Sequence, residues 1–535
     1  MFRFIRNMNK KALISIAFAV VIFLSGFGYI VINNLLNAFQ PVDMNLSALQ
    51  RQTVSGNGGQ AVIVGDAHHA YVYFIGNFVE TATIEHRQNE HNRVTHGAIF
   101  RARLTNNALK YYDADRALQE GIARNQLAGK QMIVPKIAGH ERSALFVFDR
   151  YLVYTSPNNT RNRYGQLQTD RLDFFRVDLD GRNHRLIYTA DNPNLRLDDF
   201  TVTSHGGQVF LLIMDGENLR RVRVAGGNVG QVRLISNNVH TFALPVVTAY
   251  SHANSTNPLT ASFSGVMRYV YFTENQTAEE VSRHGPGNVL KKYDIFHGTT
   301  TELWRGREHR ISVLSLSNRR LMYTIEDLRV DTGPAVFMTR PDMVQSTGRY
   351  PFAVAGNINR DNFRVLAEGT PMMEFRMSTE ANINDGQNST FVGFGNGSLF
   401  LFNRVGGNPT GAPRIIHGVR DIIGITSTTV YFIHGTGEIG FVCLSGEEPD
   451  CNHQYEDGEE CNKEVMMLGE HSWRPTSLTR LSLFRLGTYT RIFFIDVLES
   501  GEYSRNFAMI GEFGGNVNQV REAVLAHVDA RYLNT

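Results

Sequence analysis

Lysine is scarce in this 535-residue chain, with 8 against 45 arginines, and there are only 3 cysteines and 2 tryptophans. Neither charge sign dominates: 53 Lys+Arg face 51 Asp+Glu, a net charge of +2. That balance supplies no field to draw in nucleic acid. No cysteine precedes Cys443, which excludes processing of the bacterial lipoprotein type. Catalytic signatures are missing as well: no G-x-S-x-G elbow, no H-E-x-x-H, no G-x-x-x-x-G-K and no S-x-D-x-G-x-x-W box. Acid pairs such as Asp198 and Asp199 say nothing about facing geometry across a cleft. Two tryptophans argue against a dedicated sugar cleft, where stacking platforms are the rule. What the chain does have is 42% apolar residues, enough to bury a core and to exclude wholesale disorder.

Long apolar runs are also missing, with one exception. Arg3, Arg6, Lys10 and Lys11 precede ALISIAFAVVIFLSGFGYIVI (Ala12–Ile32), and the next charge is Asp43. At about 1.5 Å per residue this run spans about 30 Å, the thickness of a hydrocarbon core. A cleaved signal peptide has a shorter apolar stretch, of about 7–15 residues, ending in a small-x-small site. Asn33, Asn34, Leu35 and Leu36 offer none. An uncleaved single-pass anchor in the cell membrane is therefore expected. The four basic residues orient it, with 1–11 cytoplasmic, 12–32 in the bilayer, 33–59 as linker and the rest outside.

Beyond the linker, short β-branched and aromatic runs recur. They are AYVYFIG (Ala70–Gly76), RYLVYT (Arg150–Thr155), QVFLLI (Gln208–Ile213) and RYVYFT (Arg268–Thr273), then RLMYTI (Arg320–Ile325), SLFLFN (Ser398–Asn403), TVYFIH (Thr429–His434) and RIFFID (Arg491–Asp496). A second run follows each, such as LDFFRVDLDG (Leu172–Gly181) or LRRVRVAGG (Leu219–Gly227). A third often closes the unit, as in HRLIYT (His184–Thr189), QVRLIS (Gln231–Ser236) and TTTELW (Thr299–Trp304). Alternating apolar residues between Gly, Asn and Asp turns read as antiparallel hairpins. An all-β repeat of this length predicts a β-propeller over 60–515, preceded by one N-terminal transmembrane helix. Eight markers give eight blades. Seven result if SLFLFN, close before TVYFIH, belongs to a neighbouring unit. Residues 516–535 read as a C-terminal docking helix or a closing strand.

The unit FFRVDLDGRNHRLIYTAD (Phe174–Asp191) resembles the strand, D-x-D-G turn, strand repeat of TolB-like and other extracytoplasmic propellers. Such proteins occur among secreted and anchored proteins of Gram-positive bacteria. KYDIFHGTTTELW (Lys292–Trp304) is similar to the blade closure of quinoprotein-like propellers. Those repeat a tryptophan in nearly every blade, whereas Trp473 is the only other one here. The second likeness stops there, and no quinone cofactor is implied. The first implies an architecture shared by binders, scaffolds and enzymes, so it leaves function open.

Three clusters are candidate sites. Cys443, Cys451 and Cys461, with His453 between, fall in a polar insertion. Outside a membrane, paired thiols oxidise, and a short bridged loop stabilises by about 2–3 kcal/mol on the loop-entropy account. One disulfide plus a free thiol is the leading reading. A tetrahedral Cys₃His zinc site fits the same four residues, and three unpaired thiols remain a third reading. His86, His91 and His96 are a loop metal candidate, against a solvated hairpin as the plainer reading. Asp178 and Asp180 offer oxygens to calcium, although a bare D-x-D-G is most often a turn. No cofactor is required by any of this; structural zinc or calcium are the only candidates.

The arginine bias suits bidentate contacts to carboxylates on protein surfaces, and genome composition accounts for it equally well. Two functions follow. The favoured one is a membrane-anchored binding or scaffold module for another extracytoplasmic protein, a surface polymer such as a wall polymer, or a small ligand, with no nucleic acid. The alternative is a propeller hydrolase or lyase whose site is dispersed over several blades.

Overall fold

The computed structural model describes residues from Val54 to Ile510 with gaps: the strands below, one helix and most turns between 142 and 244 and between 269 and 331. The chain divides into two compact units, Met1–Asp43 and Met44–Thr535, and every described residue belongs to the second. The expected anchor, its orienting residues Arg3, Arg6, Lys10 and Lys11, and the segment 516–535 lie outside the described residues. Among the described residues no helix is long and apolar enough to cross a membrane.

Among the described residues the strands form eight antiparallel sheets of three or four strands and one small two-stranded hairpin. Sheet 1 holds β1 (Ala61–Val64), β2 (Ala70–Thr81), β3 (Val94–Leu104) and β4 (Gln131–Ile137). Sheet 2 holds β5 (Leu145–Phe148), β6 (Tyr151–Pro157), β7 (Leu172–Asp178) and β8 (Arg185–Thr189). Sheet 3 holds β9 (Phe200–His205), β10 (Gln208–Asp215), β11 (Asn218–Ala225) and β12 (Val232–Ser236). Sheet 4 holds β13 (Val239–Ala243), β14 (Tyr269–Asn275), β15 (Asn288–Asp294) and β16 (Thr299–Arg305). Sheet 5 holds β17 (His309–Leu316), β18 (Leu321–Asp327), β19 (Ala335–Thr339) and β20 (Asn362–Leu366).

Sheet 6 starts with β21 (Glu374–Met377), β22 (Phe391–Gly395) and β23 (Ser398–Leu401). A small hairpin, β24 (Arg404–Val405) and β25 (Asn408–Pro409), then intervenes before β26 (Arg414–His417) completes the sheet. Sheet 7 holds β27 (Val419–Ile425), β28 (Thr429–His434), β29 (Ile439–Cys443) and β30 (Met466–Met467). Sheet 8 holds β31 (Ser482–Leu486), β32 (Tyr489–Val497) and β33 (Ser504–Ile510). Each sheet is ordered as its strands occur in the chain. The eight aromatic runs fall one to a sheet. Seven lie in second strands, whereas SLFLFN is the third strand, β23, which shortens its distance to TVYFIH in β28.

Alternation along a strand sends successive side chains to opposite faces, and here both faces are apolar. In β10, Val209, Leu211 and Ile213 pack into the cluster shared with sheet 2. Phe210, Leu212 and Met214 enter the cluster shared with sheet 4. Equivalent clusters join sheets 1 and 2, sheets 4 and 5, and sheets 6 and 7. First strands meet: β1 packs on β5, β13 on β17, β17 on β21 and β31 on β1. Strands β32 and β33 also contact β2, so the last sheet returns to the first. Successive four-stranded meanders packed face to face and closing on themselves make an all-β propeller.

Specific bonds lock the seams between sheets. The buried Tyr73 hydroxyl donates to the Leu179 carbonyl at 3.0 Å, from sheet 1 to sheet 2. Burial pushes that phenol well above its ordinary range. At the same seam Gly181 holds φ 86° and leaves room for the Ile133 carbonyl, which a Cβ would meet at 2.7 Å. Upstream of β1, Val54 is 1% exposed in the core between sheets 2 and 3, and its N–H donates to Ser204 Oγ at 3.1 Å. Asn288 bridges sheets 4 and 5, with Nδ2 donating to the Ile311 carbonyl at 2.6 Å and Oδ1 accepting the Ile311 N–H at 2.9 Å. Replacement by alanine strands both groups of Ile311, so Asn288→Ala is expected to cost about 2 kcal/mol. A lowered urea midpoint checks it.

The one described α-helix, α1 (Ala278–His284), follows β14. Glu280 accepts the Thr277 N–H at 2.9 Å, and its own N–H donates to Thr277 Oγ1, a capping box. Arg305 Nη1 lies 2.7 Å from Glu280 Oε1. The Thr277 N–H, and then Arg305, pull the Glu280 carboxyl down to about 2 from an ordinary 4.5. A depressed carboxylate stabilises the fold above its unfolded pKa, and that contribution disappears as pH falls through the folded value. Stability should therefore decline between about 4.5 and about 2 in wild type, less steeply in Glu280→Gln. Thermal melts across that interval measure the difference.

Candidate functional site

The seam between sheets 2 and 3 opens at one end into a cleft of about 400 Å³, lined by Phe148, Asp149, Tyr151, Arg176, Arg185 and Val229, together with Gly226 and Gly227. Alternation in β7 explains the arginine. Phe174 packs into the core with sheet 3, so Arg176, two residues on, faces the same way. Arg185 sits directly across from it in β8. Arg176 Nη1 donates to the Val224 carbonyl at 2.9 Å and Arg185 Nη2 to that of Val229 at 3.3 Å, both in sheet 3 or its turn. The Arg176 guanidinium stacks 4.2 Å over the Tyr151 ring, a cation–π contact. Burial, and then the charge of Arg185, lower the pKa of Arg176.

The opposite end of the same seam is built from paired charges. β10 begins in the cleft and ends at Asp215, whose side chain is fully buried. Asp215 Oδ2 accepts the Tyr188 hydroxyl at 2.6 Å and the Asp191 N–H at 2.8 Å, while Oδ1 accepts the Asn192 N–H at 2.6 Å. Arg220 Nη1 reaches Asp215 at 3.1 Å and Asp191 at 2.9 Å. Burial, then the bond to Asp215, raise the Tyr188 phenol far above its ordinary range. This clamp joins sheet 2 to sheet 3 at the end of the seam away from the cleft.

The sequence candidates lie elsewhere. Asp178 ends β7 and Asp180 follows in the turn. Their oxygens bond locally: Asp180 Oδ1 accepts the Arg182 N–H at 3.0 Å and Asp178 Oδ2 accepts Asn183 Nδ2 at 2.6 Å. His96 is in β3 opposite Val79, while His86 and His91 fall outside the described residues. Cys443 ends β29, and Cys451, His453 and Cys461 also fall outside. Among the described residues no group of three His, Cys, Asp or Glu side chains could hold a metal. Sequence reading passed over Arg176, Arg185 and Tyr151. The signal was present in FFRVD and HRLIY, which place an arginine at the same distance from one turn.

These features define a propeller with an arginine–aromatic cleft between two blades. No protein-family model matches the chain, and no curated protein matches it. Solved structures similar to it include an oligogalacturonate lyase in complex with manganese, at 10% identity and TM-score 0.37, covering 68% of this chain and 86% of that one. The β-propeller domain of the Trilobed protease from Pyrococcus furiosus is similar at 8% identity and TM-score 0.34, covering 77% and 98%. TolB from Acinetobacter baumannii is similar at 9% identity and TM-score 0.23, covering 63% and 76%.

Asp215→Ala removes the acceptor of a buried phenol and two backbone N–H groups, and is expected to cost about 2–3 kcal/mol. Tyr188→Phe should cost less, about 1 kcal/mol. Chemical denaturation of the two variants gives both values.

Proposed function

We propose that the chain is an eight-bladed, membrane-anchored extracytoplasmic propeller that acts as a binding module, each of the eight sheets being one blade. The uncharged run 12–32 behind its basic head supports the anchor. The composition of the cleft between sheets 2 and 3 carries the binding reading. Its lining holds two guanidiniums, a phenol, one carboxylate and apolar or glycine residues. Among the described residues, the lining holds no histidine, serine, threonine, cysteine or lysine. Guanidiniums and an aromatic face are instead the groups that hold a partner's charge and rings.

Crosslinking of the intact protein in its membrane, followed by purification under denaturing conditions, should recover one stoichiometric partner, a protein or a surface polymer. Recovery of none overturns the proposal.

A further inference from the structure

The arginine pair of sheet 2 is repeated in sheet 3. In β11 the alternation sends Arg220 toward the clamp with sheet 2 and Arg221 toward sheet 4. Arg221 stands directly across from Arg233 of β12, as Arg176 stands across from Arg185. Arg221 donates to the Ile295 carbonyl, at the end of β15. A Cβ on Gly298, in the next turn, would run into Arg233 Nη1. Both pairs thus point across a seam to the turn after the third strand of the next sheet. In sheet 4 the series continues with Lys292, opposite Thr301 and 4.7 Å over the Tyr269 ring.

Like charges placed opposite one another in a sheet repel, and neither arginine pair has an ion-paired carboxylate among the described residues. Arg176, Arg185 and Arg221 each use one N–H on a backbone carbonyl, which leaves most of their five donors free. Asp149 in the cleft and Asp178 behind Arg176 are the nearby negative groups, and Asp178 already accepts from Asn183. Beside the second pair, the Tyr293 hydroxyl is buried, at 1% exposure, with no hydrogen-bond partner. Arg221 lies over the Tyr293 ring at 5.9 Å. Several other arginines are neutralised: Arg220 by Asp215 and Asp191, Arg305 by Glu280 and Glu302, Arg310 by Glu326.

We infer that this edge of sheets 2 to 4 binds a linear polyanion, with successive anionic groups seated on the Arg176/Arg185 and Arg221/Arg233 pairs and the chain running on toward Lys292. The inference rests on the binding-module reading and gives its ligand a chemistry. A guanidinium pair forks onto the oxygens of a carboxylate or a phosphate. Two such pairs, one blade apart and similarly built, match a ligand whose charges repeat. Binding relieves the repulsion within each pair, so the ligand stabilises the fold by mass action.

The test uses the full chain in mild detergent, titrated separately with inorganic polyphosphate, polyglutamate and uncharged dextran. Wild type should bind at least one polyanion and not dextran, with a raised melting temperature and an affinity that falls steeply with salt. The arm that binds separates phosphate from carboxylate. Arg185 and Arg233 are exposed, and in R185Q/R233Q the affinity should fall at least tenfold while the ligand-free melting temperature holds or rises. R185Q alone reads the same comparison if the double variant melts early. Equal affinity in wild type and variant, or binding of neither polyanion by wild type, overturns the inference. A crosslinked protein partner recovered from a chain that binds neither polyanion overturns the inference alone and leaves the binding module standing.

Discussion

Every sheet in this protein depends on having two apolar faces covered at once. A strand such as β10 carries Leu211 and Ile213 on one side and Phe210 and Leu212 on the other. An isolated four-stranded meander of this kind would leave both faces in water, at about 25 cal/mol per Å². Only a neighbour on each side removes that cost, and a row of such sheets always has two uncovered ends. Contact of β32 and β33 with β2 covers both ends together. Ring closure is thus a consequence of the alternating pattern, and the seams follow from it.

Once the sheets are committed to facing one another, polar chemistry is confined to the ends of the seams, and those ends differ. Near Asp215 the buried carboxylate is held by a phenol, a guanidinium and two backbone N–H groups. A buried carboxylate tolerates its site only with such complete satisfaction. At the other end Arg176 and Arg185 face each other with carbonyls and a ring for company. The first end is a fastening of matched charges, and the second sets guanidiniums against backbone carbonyls. Both are fixed by one strand, β10, which joins them.

The strands were legible because their signal is local: a period of two in residues such as Val209–Ile213 survives without knowledge of the neighbours. The irregular step at SLFLFN came from reading a third strand as a second, which period alone does not distinguish. The site was harder to read. The D-x-D-G turn fixes the register that sets Arg176 against Arg185, so their pairing was implicit in FFRVDLDGRNHRLIY. Which face meets the next sheet was not, because that depends on the direction in which the ring is wound. The arginine bias therefore read as composition, although four of these residues occupy repeated positions on two adjacent sheets. The cysteine insertion and the histidine cluster are polar, aperiodic segments, and nothing in their spacing ties them to a strand face.

Val54 has a mechanical meaning. It precedes β1, yet it is rooted in the core between sheets 2 and 3 with its N–H on Ser204. A tug arriving from residues upstream would reach that seam before it reached β1. The load would be carried as shear through a packed apolar layer instead of peeling β1 from β2 one hydrogen bond at a time.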